Sequence, residues 1–156
     1  MQSTIKLLVT LFLGCWLGAS IWFSFVAATG LFHLAKAGVI TREQAGDVAE
    51  ALLDKYFVSA LVSLALTTLL AGYLGLGSRM PRYTKCAAIT LAALLITAFS
   101  FFVWTPRVHQ AREERRLHPG PESEKRFRSS HHVSFGMNVL VIAGTAWAFV
   151  IATKPE

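Results

Sequence analysis

Four apolar runs alternate with polar connections along this chain. Residues 5–35 contain Lys6 as their only Asp, Glu, Lys or Arg, and residues 56–78, 86–106 and 129–153 contain none. A helical crossing of a bilayer core takes about 20 apolar residues, and each run supplies them. The pattern therefore predicts an all-α integral membrane protein. It would be a four-helix bundle forming a single transmembrane domain over residues 1–156, with spans at about 5–35, 56–77, 86–105 and 129–153. The first run is longer than the hydrocarbon core and is expected to tilt or protrude.

The connection at 36–55 has a different periodicity. Thr41 and Gln44 have capping-box spacing. Val48, Leu52 and Tyr56 recur every fourth residue, while Glu43, Asp47, Glu50 and Asp54 fall on another side. This predicts a short amphipathic helix between spans 1 and 2 that runs into the second span, or a second helix that protrudes from the membrane. Gly75, Gly77 and Pro81 break the second span, and Pro106 marks the end of the third or a kink near it. A helical extension to about Arg116 is expected after Pro106, then a turn at Pro119-Gly120-Pro121. Gly14 and Gly18 form a GxxxG spacing, which allows another helix to pack closely.

Composition agrees with the pattern. The chain is 54% hydrophobic and 15% charged, with mean hydropathy +0.50, whereas soluble domains carry about 25% charged residues. No separate soluble domain fits between the spans. The net charge of +6 lies between apolar runs, where Lys and Arg orient the chain and meet anionic headgroups, so nucleic acid is not an expected partner. Lys6 and Leu13-Gly14-Cys15 imitate a secretion signal, but the apolar run continues well past Cys15. Signal cores are about 7–15 residues long, so the first helix is expected to be retained. Cys15 and Cys86 form no CxxC pair and are expected to be small core residues.

Four crossings put the N-terminus, the loop at 78–85 and the C-terminus on one side, with five Lys and Arg residues. The connections at 36–55 and 107–128 share the other side, with ten. The positive-inside rule then expects those two connections in the cytoplasm of a bacterial inner membrane. The same connectivity collects His33, His109, His118, His131 and His132 at one membrane face. His131, Ser134 and Asn138 form one polar stripe at i, i+3 and i+7. Such groups face a bundle interior or a cavity. The stripe serves either as hydrogen-bonding glue between helices, worth about 1 kcal/mol, or as part of a polar pocket made by His33, Pro106, Arg107, His131, Ser134 and Asn138.

Two histidines on different helices could hold haem, and imidazole suits copper or zinc, with His33 and His131 the best pair. The adjacent pair His131-His132 diverges by about 100° on a helix, and interfacial hydrogen bonding is the more ordinary role, so no cofactor is expected. No span carries Asp or Glu, and neither a nucleotide-binding glycine motif nor HExxH occurs. No catalytic residue is identified, and the chain is expected not to be an enzyme.

The chain also resembles a known family, the four-helix membrane proteins grouped as domain of unknown function 4149 and related to transmembrane protein 205. The similarity rests on Ser24-Phe25-Val26-Ala27-Ala28-Thr29-Gly30-Leu31-Phe32, on Ala45-Gly46 through Tyr56-Phe57, and on Pro106 followed by Arg112. It continues through Phe127, His131, Ser134 and Asn138 at the start of helix 4. Ala28 and Thr29 stand where the family often has Pro. The resemblance implies a compact four-helix bundle and no particular activity. The expected function is that of an accessory or structural subunit packing against a larger membrane complex or against itself. The alternatives are binding or transport of a ligand, lipid or metal through the histidine-rich face, and haem binding.

Overall fold

In the computed structural model, which describes residues 2–154, the four apolar runs form four long helices. They are α1 (Gln2–Lys36), α2 (Arg42–Gly77), α3 (Pro81–Leu117) and α4 (Pro121–Thr153). All four are long and apolar enough to cross a membrane, and each is continuous with a polar segment or a terminus. The amphipathic segment before span 2 is helical and merges with it without a break: α2 starts at Arg42. Thr41 caps it as its spacing foretold. Its backbone N–H donates to Gln44 Oε1 at 2.8 Å, and the Gln44 N–H donates to Thr41 Oγ1 at 3.1 Å.

The chain reverses direction by local means. Gly38, at φ 76°, ends α1, and the Val39 N–H reaches back to the Leu34 carbonyl at 3.1 Å, a Schellman closure that needs the left-handed glycine. Ser78, Arg79 and Met80 alone separate α2 from α3. His118 to Gly120 separate α3 from α4, with Pro121 in the first turn of α4 and Ser123 Oγ accepting from the Gly120 N–H at 3.1 Å.

Neighbours around the bundle run α1, α2, α3, α4 and back to α1, so α1 and α3 lie diagonally. Two apolar clusters fill the axis. One, toward the chain termini, contains Val9, Leu13, Ala71, Leu74, Tyr83, Cys86, Ala148 and Ala152. The other, in mid-bundle, contains Trp16, Tyr56, Phe57, Ala60, Leu64, Ala93 and Val141. Small residues recur at these positions because they let the helix backbones approach. Gly14 abuts the Phe149 ring of α4, whereas the space around Gly18 is open. Cys86 is buried as expected, but Cys15 lies on the outer surface of α1.

Three helices contain a π-helical turn: Phe23–Ala27 in α1, Tyr73–Gly77 in α2 and Ser100–Trp104 in α3. The third ends two residues before Pro106, which lacks an N–H and crowds the preceding turn. The wider turn absorbs that mismatch, and the helix continues to Leu117. The first ends directly before Ala28 and Thr29. Thr29 Oγ1 donates back to the Phe25 carbonyl at 2.5 Å, within that widened turn.

Candidate functional site

Within the membrane-spanning part, one polar bridge ties three helices. The Tyr56 hydroxyl of α2 donates to Asn138 Oδ1 of α4 at 2.7 Å, and Asn138 Nδ2 donates to Ser24 Oγ of α1 at 3.0 Å. The amide thus uses both of its ends. Aromatic rings hold the phenol in place: Phe23 stacks on Tyr56 at 4.7 Å between centroids, and Trp16 lies at 5.0 Å. Beside the bridge is a small cavity lined by Trp16, Tyr56, Phe57, Ala60, Thr97, Ser100, Ser134, Asn138 and Val141. It leaves about 10 Å³ for the centres of water-sized molecules.

Outside the membrane, α2, α3 and α4 extend into a charged cap. Glu43, Asp47 and Glu50 of α2 face His109, Arg112 and Arg116 of α3 as an antiparallel ladder. Arg112 pairs with Asp47 at 2.6 Å and also with Glu50. Arg116 pairs with Glu43 at 2.5 Å, and His109 Nδ1 lies 3.1 Å from Glu50. The Arg112 guanidinium rests directly against Gly46, where an added Cβ would stand 2.6 Å from Nη2. A larger residue there would push the flexible guanidinium tip aside. On the other flank, Arg115 lies over the Phe127 ring at 4.0 Å and Arg126 pairs with Glu114 at 3.1 Å, tying α3 to α4. A solvent-open cleft of about 370 Å³ lies along the ladder.

These contacts distribute the residues singled out in the sequence. Ser134 and Asn138 line the interior cavity. His131 is on the bundle's outer surface with its ring stacked on Phe127 at 6.0 Å. His33 and Pro106 are exposed, and Arg107 lies over the Trp104 ring at 5.5 Å. The stripe of α4 therefore runs from surface to interior, and His33, Pro106 and Arg107 are not among the cavity's lining residues. Among the described residues, no group of three or more His, Cys, Asp or Glu is placed to hold a metal.

The domain of unknown function DUF4149 matches residues 11–117. The chain belongs to that family. The match takes in most of α1 and all of α2 and α3, including Ala45-Gly46, Tyr56-Phe57, Pro106 and Arg112, and ends before α4. The matched stretch thus covers the whole Arg112 ladder and two of the three bridge residues, Ser24 and Tyr56. No curated protein and no solved structure matches the chain.

Sequence reading found Asn138 but not its partners, because Tyr56 and Ser24 lie 82 and 114 residues away. The ladder had a legible signal. Glu43, Asp47 and Glu50 recur at i, i+4 and i+7, and His109, Arg112 and Arg116 at i, i+3 and i+7. Two complementary stripes on helices that must run antiparallel are a pairing rule.

Proposed function

We propose that this polytopic membrane protein is a non-catalytic accessory or structural subunit, assembling with other membrane proteins or with itself. The observation that carries this reading is the closed interior. The Tyr56–Asn138–Ser24 bridge crosses the bundle, and the space beside it is about 10 Å³, whereas small-molecule sites measure about 300–1,000 Å³. The cleft of about 370 Å³ along the Arg112 ladder lies outside the spans, open to solvent and lined largely by ion-paired side chains. The broad surface open to a partner is the outer one. On α1 it includes Leu11, Cys15, Gly18, Trp22 and Phe25, and the spaces at Gly18 and Gly30 are open to another helix. The bilayer is the environment of the spans. A bacterial inner membrane, with the cap on the cytoplasmic side, fits the ten Lys and Arg residues there against five opposite. Extraction of the tagged full chain in mild detergent, with cross-linking beforehand, tests the reading. A stoichiometric companion or a dimer supports it, and a lone monodisperse monomer overturns it.

A second reading, binding of an anionic lipid or a metal at the histidine-rich face, is favoured by one observation. His131 is exposed on the same stripe as Ser134 and Asn138, above the interior cavity. Under that reading His131→Ala weakens binding of zinc or of phosphatidylglycerol vesicles and leaves the fold intact. Equal binding by variant and parent defeats it.

A further inference from the structure

The mid-bundle cavity has an unmet hydrogen-bond demand. The Trp16 ring is 4% exposed, and its Nε1–H finds no acceptor among the described residues. An indole nitrogen only donates, and leaving a buried donor unpaired costs about 1–3 kcal/mol. The Ser20 hydroxyl one turn further along α1 is fully buried but is not among the residues that line the cavity. It likewise makes no hydrogen bond of good geometry.

The opposite wall of the cavity belongs to α3 and offers the complementary groups. Thr97 Oγ1 donates its proton to the Ala93 carbonyl at 2.8 Å, and Ser100 Oγ donates to the Ile96 carbonyl at 2.8 Å. With those protons turned to the helix backbone, both hydroxyl oxygens are free to accept from the cavity, although Ser100 Oγ also lies 3.5 Å from Met137 Sδ. Tyr56 has likewise committed its proton to Asn138. A donor on α1 therefore shares with acceptors on α3 a mostly apolar space the size of one small molecule, in which they are among the polar groups. A group that accepts on one side and donates on the other, within about 10 Å³, is a water molecule; buried waters need a site of about that size with two to four polar partners.

We propose that the cavity is a binding site for a single water that accepts from Trp16 Nε1–H and donates to the Thr97 and Ser100 hydroxyls. The consequence is architectural. Helices α1 and α3 are diagonal and share no extended contact. The water joins them beside the Asn138 bridge, which already links α1, α2 and α4. All four helices are then connected by neutral hydrogen bonds, the two tie points on α1 about 12 Å apart along the helix.

The test uses the full chain, labelled with ¹⁵N-tryptophan, in lipid nanodiscs. The Trp16 indole resonance is assigned by its disappearance in Trp16→Phe, which keeps an aromatic ring against Tyr56. A cross-peak between that indole proton and a long-lived water, lost in the double variant Thr97→Val/Ser100→Ala, supports the site. Its absence in the parent, or its survival undiminished in the double variant, overturns it. Should the double variant fail to fold, a high-resolution density map of the parent decides. A peak within hydrogen-bonding distance of Trp16 Nε1 and of either α3 hydroxyl supports the site, and a cavity without one overturns it.

Discussion

The two ends of this bundle solve the same problem, holding helices at fixed separation, by different means. At the end that carries the termini, α2 and α3 are joined by three residues and their backbones nearly touch: a Cβ on Gly75 would lie 2.5 Å from the Thr84 nitrogen. The core there is small and apolar, from Ala71 and Leu74 to Cys86 and Ala152. At the other end the helices run on beyond the membrane, and side chains make the ties. Arg112 reaches across to Asp47 and Glu50, and Arg126 reaches back to Glu114. Between the two lies the neutral Tyr56–Asn138–Ser24 bridge. The choice follows the dielectric. Charges can be left half-exposed in an aqueous cap, but at membrane depth an ionised side chain is expensive and amides and hydroxyls replace it.

Substitutions that exploit this contrast should rank accordingly. Gly75→Ala should have the largest effect, since the new methyl meets backbone that cannot swing aside. A loss of about 2–3 kcal/mol, net of alanine's better helix propensity, is expected in detergent unfolding. An unchanged midpoint would show that the α2–α3 hairpin is not tightly seated. Arg112→Ala should follow at about 1–2 kcal/mol. Removing one partner of a fully buried pair costs about 3–5 kcal/mol, but the Asp47 side chain is 55% exposed, so water offsets part of the loss. That loss should shrink as salt is raised, and a salt-independent loss would count against an ionic origin.

Asn138→Leu should cost about 1 kcal/mol, the usual worth of a polar tie between membrane helices. It should not respond to salt, and a double-mutant cycle with Tyr56→Phe should show coupling. Strict additivity would remove the Asn138–Tyr56 bond from the account. The smallest effect on the isolated bundle belongs to Gly18→Leu, because the space around Gly18 is open. The same change should abolish co-extraction of a partner that docks on α1. Retained partner with an unaltered midpoint would move the docking surface elsewhere.

The pattern of charges and apolar residues was enough to define four helices, their order, the capped start of α2 and a turn after about Arg116, although α4 begins at Pro121 and not near residue 129. Each depends on contacts within a few residues or on the cost of placing charge in lipid. Asn138 was legible for the same reason, as an amide in an apolar helix. Tertiary structure decided the rest. It turned Asn138 toward Tyr56 and Ser24, left His131 and His33 outside, seated Arg112 on Gly46, and gathered Trp16, Thr97 and Ser100 around one water-sized space. Helical periodicity says which residues share a face, but the azimuth of that face is fixed only when neighbouring helices pack. The π-helical turns in α1 and α3 rotate those faces again.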